Sequence, residues 1–304
     1  MPARRFAALL LLLLGLALLP PGVTAQGRPK TVRLLTVGNS FSENATKYLA
    51  RIVEADGNAL VHHRCVIGGS GPDQHLAKAA AHEKDPTDKA GLYGTGKSLK
   101  QELAAEKWDV ITVQQASIKS HDVSTYRPGM RELYALIKKH APASEVVIHQ
   151  TWAYRVDDPR FRGKAAPNTQ KAMYDGLSAA YRTVARELGV RLIPVGDAFY
   201  AADADPRWGY RPDPRFDVKT ATHPALPDQT HSLHVGWRWA ADKSALAMDG
   251  HHAGPAGEYL GGLVFYEFLY GRSAVGNTFR PAGVDADYAR FLQDTAHKAV
   301  ERVK

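Results

Sequence analysis

The strongest constraint on the fold is a regular alternation of short runs rich in Val and Ile with longer amphipathic stretches. The short runs are continuous in apolar residues, which is typical of strands buried on both faces of a parallel sheet. The longer stretches can form the helices that connect one parallel strand to the next. The pattern therefore predicts an α/β fold with a central parallel five-stranded sheet and helices on both faces.

The element boundaries follow from the same pattern. Strands are predicted at residues 32–37, 59–67, 109–114, 145–150 and 190–194. Helices are predicted at residues 43–55, 98–106, 124–140 and 169–188, and the pattern is helical again at 254–269 and 285–303. Residues 78–97 and 201–248 interrupt the alternation and are predicted to be loops.

The second of these loops is rich in aromatic side chains, among them Trp208, Tyr210 and Trp237. Long loops in compact domains are usually functional or disordered, and this aromatic content argues against disorder. We therefore expect a structured insertion at about 201–248 beside the functional site, with Trp208 and Trp237 binding substrate. Packing of these rings onto the core is the alternative.

Residues 1–25 have the pattern of a secretory signal peptide. Arg4 and Arg5 precede an apolar run at 6–19, and small residues stand before Gln26, where a signal peptidase would cut. The run is shorter than the roughly 20 residues that span a bilayer as a helix. We expect a secreted or periplasmic protein with one domain at 26–304 and no stable membrane insertion after cleavage. An uncleaved N-terminal anchor is the alternative.

Composition narrows the possible classes of function. A single Cys excludes an intramolecular disulfide framework. The formal net charge of +8 comes from dispersed residues without a Lys/Arg-rich run, so no nucleic-acid partner is expected. The 13 His residues show no His-Glu-x-x-His pattern, and we expect neither a catalytic metal nor a cofactor. The sequence leaves the oligomeric state undetermined.

The first candidate for chemistry is Ser40. The first predicted strand ends in Gly-Asn-Ser-Phe-Ser at 38–42, and a predicted helix follows at once. Such a turn exposes the serine hydroxyl at the carboxyl edge of the sheet and directs backbone N–H groups at an oxyanion formed there. The alternative is that Ser40 only caps the helix.

The second candidate is Asp-Gly-His-His at 249–252. An Asp three residues before a His can hold the imidazole in one tautomer and stabilise its protonated form. Ser40, Asp249 and His252 would then form a nucleophile, an orienting carboxylate and a general base.

Together these motifs resemble the SGNH (GDSL-like) hydrolase superfamily. The resemblance rests on Thr-Val-Gly-Asn-Ser-Phe-Ser at 36–42, Asn-Ala at 44–45 and the late Asp-Gly-x-His motif, and it extends over nearly the whole chain after the leader. It implies a flavodoxin-like three-layer α/β/α sandwich. It also implies that Ser40 is the nucleophile, His252 the base and Asp249 its orienter, with His251 as a neighbour.

The resemblance further implies an oxyanion hole that includes the Ser40 N–H and a glycine after the second strand. A Gly-rich turn stands there, and we expect Gly69 to be the donor, with Gly68 and Gly71 as open alternatives because a turn can need glycine for its backbone angles alone.

The superfamily's third block supplies an Asn to the same hole, whereas this chain has Gln114 and Gln115. A Gln amide carries the same N–H donors on a longer arm. Alternation along a strand lets only one of them face the site, and we rank Gln115 slightly ahead.

Two residues after later strands could also lie at the site. Trp152 could stack on a sugar ring, with core packing as the alternative. Asp197 resembles a post-strand residue of this branch and could equally cap a turn.

These features predict a serine esterase that acts through an acyl-enzyme on a small-molecule or polysaccharide ester, with a carbohydrate O-acetyl ester favoured. Two alternatives stay open. One is an acyltransferase that uses the same triad, and the other is a glycan-binding module without catalysis. A nucleotide-binding flavodoxin-like protein is disfavoured, because no Gly-x-Gly-x-x-Gly follows the first strand.

Overall fold

The computed structural model describes residues 29–163 and 165–304, so the predicted signal peptide lies outside the described residues. Five parallel strands form the central sheet in the order β2-β1-β3-β4-β5. They are β1 (Thr31–Gly38), β2 (Ala59–Val66), β3 (Val110–Val113), β4 (Glu145–His149) and β5 (Leu192–Ile193). All five predicted strands are thereby confirmed, with ends that differ by a few residues.

Helices cover both faces of the sheet. They are α1 (Ser40–Thr46), α2 (Leu49–Ala55), α3 (Pro72–Lys84), α4 (Leu99–Ala105), α5 (Gly129–His140), α6 (Gln170–Leu188), α7 (Val195–Ala204), α8 (Pro255–Tyr270) and α9 (Ala286–Glu301). Helices α3, α4 and α5 pack against one another, whereas α8 packs against α1, α2, α7 and α9. The predicted flavodoxin-like three-layer α/β/α sandwich is confirmed.

The core lies between these layers. Strands β3 and β4 are almost entirely buried because each of them lies between two other strands of the sheet. Helix α8 is buried on nearly its whole circumference, from Ala256 to Tyr270. In contrast, β2 is an edge strand whose side chains are mostly half-buried, so the expectation of a doubly buried strand is wrong for this element.

Three predicted boundaries need correction. The predicted helix at 43–55 is two helices separated at Lys47 and Tyr48. In the predicted helix at 124–140, Pro128 separates a 3₁₀ turn (Val123–Tyr126) from α5, since proline cannot donate the hydrogen bond that would continue the helix. The predicted loop at 78–97 contains the second half of α3, which begins with Pro72 at its first position.

The region predicted as an insertion, 201–248, contains part of one helix and most of a hairpin, with turns and irregular backbone between them. It starts within α7 and ends in an antiparallel hairpin of β6 (His234–Trp239) and β7 (Leu246–Ala253). The hairpin packs against α8 and against α1, which is the helix that follows β1. Within the described ranges, no helix has the length and apolar character needed to cross a membrane.

Candidate active site

Ser40 is the first residue of α1, directly after β1 and Asn39. Asn39, not Ser40, caps the helix, because its Oδ1 accepts a hydrogen bond from the Phe41 N–H at 2.9 Å. The Ser40 side chain is therefore not used as a cap. Its hydroxyl lies at the carboxyl edge of the sheet, where ligands bind in folds of this type.

The structure brings Ser40, His252 and Asp249 into one hydrogen-bonded chain. His252 Nε2 lies 2.8 Å from Ser40 Oγ, and His252 Nδ1 lies 2.9 Å from Asp249 Oδ2. Because Asp249 accepts a hydrogen bond from the Nδ1–H, that nitrogen keeps its proton and Nε2 is left to accept the proton of the serine hydroxyl. This is the arrangement that activates a serine for attack on an acyl carbon.

Asp249 stays ionised in this environment. Burial alone would raise its pKa, but hydrogen bonds from the His251 and His252 side chains and from the His252 backbone N–H hold the pKa far below its usual range. His251 Nδ1 lies 2.9 Å from Asp249 Oδ1 and 3.1 Å from Arg160 Nη2. Since Nδ1 carries at most one proton, it donates to Asp249 or accepts from Arg160, but not both at once.

The hairpin that carries Asp249 and His252 is tied to the sandwich on two sides. The Ala253 N–H donates to Asn44 Oδ1 of α1 at 3.1 Å. On the other side, the Arg155 N–H donates to the Gly250 carbonyl at 2.8 Å. These bonds connect α1, the hairpin and the segment after β4.

A cleft of about 410 Å³ opens above Ser40 and His252. Gly68 and Gly69 line it together with Ser40. Gly69 has φ of +64°, a left-handed conformation that favours glycine. Among the described residues, neither the Ser40 N–H nor the Gly69 N–H has a hydrogen-bond partner, so both can bind an oxyanion in the cleft.

Comparison with known proteins assigns the chain to a family. The family described as a domain of unknown function, DUF4886, matches residues 33–205. This chain belongs to the DUF4886 family. A comparison with curated proteins finds no match.

Solved structures similar to this DUF4886 chain include a family member from Bacteroides uniformis, with 25% identity, a TM-score of 0.68 and coverage of 89% of this chain and 95% of that one. They also include a lipase/acylhydrolase from Enterococcus faecalis, with 14% identity, a TM-score of 0.45 and coverage of 79% and 96%. An acetyl xylan esterase from Geobacillus stearothermophilus has 12% identity, a TM-score of 0.43 and coverage of 83% and 97%.

The two glutamines expected at the oxyanion hole of the DUF4886 chain are buried and bonded elsewhere. Gln114 Nε2 donates to Asn39 Oδ1 at 2.7 Å. Gln115 Nε2 donates to the Thr125 carbonyl at 2.6 Å, and neither glutamine is among the residues that line the cleft. Gly71 is also outside the lining, and its N–H donates to Gln74 Oε1.

The three tryptophans expected to bind substrate lie outside the cleft lining. Trp152 is fully buried between Phe41 and Phe199, with ring centroids at 4.3 and 4.4 Å, which corrects the expectation that it stacks on a sugar. Trp208 packs on α9, and Trp237 is half-buried on β6. Packing onto the protein, the alternative from the sequence, therefore describes Trp152 and Trp208.

Asp197, the other post-strand residue considered from the sequence, lies in α7 rather than at the cleft. Its carboxylate accepts hydrogen bonds from Gln150 and Tyr174 and pairs with Arg182. This bonding joins α6 and α7 to the end of β4.

Sequence reasoning missed the polar wall of the cleft. Tyr154 and Arg160 follow β4 and line the cleft beside His251. Arg160 makes two hydrogen bonds to the buried carboxylate of Asp158 and lies over the Tyr154 ring at 3.8 Å. Ser117 completes this wall and lies 3.0 Å from the Tyr154 hydroxyl. Their position just after strands β3 and β4 was the available signal, since those ends meet at the site.

Two groups of side chains could hold a metal ion within the described ranges. Ligand atoms of Asp249, His251 and His252 lie within 4.8 Å of one another, as do those of Glu267, His297 and Glu301. The first group coincides with the triad, where Nδ1 of His252 is already bonded to Asp249. In the second group, Nδ1 of His297 lies 2.7 Å from Oε1 of the buried Glu267, so this ring nitrogen is also already bonded to a carboxylate.

Proposed function

We propose that this protein is a serine esterase that forms an acyl-enzyme at Ser40. The observation that carries the proposal is the 2.8 Å contact between Ser40 Oγ and His252 Nε2, together with the Asp249 carboxylate on the opposite nitrogen. A serine that only stabilised the fold would not need an imidazole oriented in this way.

The reaction follows from this geometry. Ser40 Oγ attacks the ester carbonyl while its proton passes to His252 Nε2. The N–H groups of Ser40 and Gly69 bind the resulting oxyanion. His252 then gives the proton to the departing alcohol and leaves an acyl-serine. In the second half, His252 takes a proton from water as the water oxygen attacks the acyl carbon. The bond between the acyl carbon and Ser40 Oγ then breaks, His252 returns the proton to Oγ, and the acid leaves.

The substrate class we propose is a carbohydrate O-acetyl ester. The cleft has a volume of about 410 Å³, and its lining includes the apolar residues Ala116 and Ile118, which suits a short acyl group better than a long chain. Ser117, Tyr154 and Arg160 offer polar groups for sugar hydroxyls on the alcohol side. The N-terminal leader pattern supports a secreted or periplasmic location, where the protein would encounter acetylated glycans.

The first test is hydrolysis of p-nitrophenyl acetate by the purified protein and by Ser40→Ala. We expect turnover to fall on the order of 10³-fold or more in the variant, because the nucleophile is lost. Ser124→Ala is the matched control, because Ser124 is an exposed serine outside the cleft lining, and we expect it to leave kcat within about threefold of wild type.

The substrate class is tested by acetate release from acetylated xylan, with p-nitrophenyl butyrate measuring acyl length. A strong preference for acetate supports the proposal. Full activity in Ser40→Ala would contradict it, and a wild-type protein inactive on every ester would favour the glycan-binding alternative. Acetyl transfer to a sugar without acetate release would favour the acyltransferase.

A further inference from the structure

We propose that the chain carries a second binding surface, a basic groove that takes an acidic polysaccharide. The groove is formed by the second half of α6, the start of β5 and the C-terminal end of α9, and its cavity volume is about 830 Å³. Four arginines line it: Arg182, Arg186, Arg191 and Arg302.

The charge of the groove is not neutralised. Arg182 is paired with Asp197 and Arg191 with Glu145, but neither carboxylate is part of the groove lining. Arg186 and Arg302 are exposed and form no ion pair within the described ranges. Two guanidinium groups have no carboxylate partner, and the other two are paired with carboxylates outside the groove lining. Together they give the groove a positive potential that attracts anions.

The two ion pairs also fix the positions of the Arg182 and Arg191 side chains in the groove. Arg191 makes two hydrogen bonds to Glu145, at 2.6 and 2.7 Å, and its guanidinium lies over the Phe268 ring at 4.3 Å. A guanidinium held in this way keeps N–H groups free to bind a ligand and loses less entropy when it does so.

The groove is separate from the catalytic cleft. Gly189, Val190 and Arg191 lie at the amino end of β5, whereas Ser40 lies beyond the carboxyl end of β1. In a parallel sheet these ends are on opposite edges. A ligand in the groove would therefore tether the protein to a polymer without occupying the cleft.

The lining favours carboxylate groups on a carbohydrate chain. Between the arginines the floor is aliphatic, with Val190, Leu192 and Val303, and no aromatic side chain of the described residues lines it. Single-stranded nucleic acids are usually bound by stacking of bases on aromatic rings, which this groove does not offer. Arginine forks match carboxylates in geometry, so a uronate-containing polymer fits the surface best.

The test is binding of the purified protein to polygalacturonate, measured by affinity electrophoresis at about 50 and 300 mM salt. We expect binding that weakens at the higher salt and that is at least tenfold weaker in the double variant Arg186→Glu with Arg302→Glu. These residues lack ion-pair partners among the described residues, so their replacement removes no existing ion pair.

The matched control is Arg64→Glu with Arg238→Glu, two exposed arginines outside the groove that give the same change in net charge. It should bind within about threefold of wild type. Equal loss in both double variants, binding of neutral xylan with the same affinity, or equal affinity for single-stranded DNA would overturn the proposal. Because Ser40→Ala should bind polygalacturonate normally, failure of this proposal is distinguishable from failure of the esterase proposal.

Discussion

Gln114 shows how a single buried amide can organise the candidate active site without facing the cleft. His149 Nδ1 lies 2.9 Å from Gln114 Oε1, and Gln114 Nε2 donates to Asn39 Oδ1 at 2.7 Å. Asn39 Nδ2 in turn donates to the Ser70 carbonyl at 2.8 Å. Gln114 therefore acts through Asn39 as a positioning residue that connects the turn of the nucleophile with the turn of Gly69.

We predict that Gln114→Leu lowers kcat by about 10- to 100-fold with little change in KM, because the turns that carry the two proposed oxyanion donors, Ser40 and Gly69, lose their support. The variant should also lose about 1–3 kcal/mol of folding free energy, since buried polar groups of Asn39 and His149 lose their partner. Steady-state kinetics on p-nitrophenyl acetate and urea unfolding measure the two effects.

Gln115→Leu is the comparison that separates positioning from catalysis. It breaks the bond to the Thr125 carbonyl and should cost similar stability, but it should leave kcat within about threefold. Were the Gln115 amide a direct oxyanion donor, its loss would lower kcat on the order of 10²–10³-fold. That result would contradict the placement of Gln115 outside the cleft.

The three residues of the proposed triad could be found from sequence because they belong to local motifs. Ser40 follows a recognisable strand, and Asp249 and His252 are three residues apart in one segment, so the hydrogen bond between Asp249 and His252 follows from short-range geometry. The hydrogen bond between His252 and Ser40 joins distant parts of the chain and depends on the fold that brings the two motifs to one edge of the sheet. The ranking of the two glutamines could not be found in this way. β3 ends at Val113, so strand alternation does not apply to Gln114 and Gln115, and their directions depend on distant partners.

The secondary-structure elements differ in how well the sequence predicts them. The five sheet strands form apolar runs, whereas α3 has few buried residues, among them Pro72 and His75, and so lacks an apolar stripe. The β6–β7 hairpin could not be predicted from the sequence for another reason. It is fixed by contacts with residues far away in the chain, above all the buried guanidinium of Arg155, which sequence patterns do not show.

Arg155 packs against the hairpin at Gly236. Gly236 has φ of +73°, pairs with Asp249 across the hairpin, and adjoins a register shift in β6. Arg155 Nη1 donates to Gln229 Oε1 at 2.7 Å, and both atoms occupy the space that a Cβ at Gly236 would take. The placement of Asp249 therefore depends on the absence of a side chain at this position.

We predict that Gly236→Ala lowers kcat at least about tenfold and destabilises the fold by more than the roughly 1–2 kcal/mol cost of a left-handed alanine. Gly276→Ala is the matched control, because Gly276 has φ of +85° but open space around its Cβ position. It should show only the backbone cost and normal kcat. Activity is normalised to the folded fraction by circular dichroism, and equal kcat in both variants would refute a role for the hairpin contact.

Over the whole molecule, buried histidines couple stability to pH. Burial lowers the pKa of His149 to about 3 and the pKa values of His75 and His234 to about 4, because it penalises the imidazolium form. An unfolded chain protonates these rings near pH 6.5, the ordinary histidine value. The stabilisation is therefore present in full above about pH 6.5 and is lost as pH falls towards the folded-state pKa values.

We predict that the free energy of unfolding falls below pH 6.5 by about 1.4 kcal/mol per pH unit for each buried histidine, a slope set by the difference in bound protons. His234→Gln should flatten the slope by that amount, since an amide can still donate to the Ala153 carbonyl that His234 Nε2 contacts at 3.0 Å. Exposed His223→Gln should leave the slope as in wild type. Urea unfolding at pH 7.5, 6.0 and 5.0 measures all three proteins, and a slope unaffected by His234→Gln would show that His234 is protonated in the folded protein, contrary to its burial.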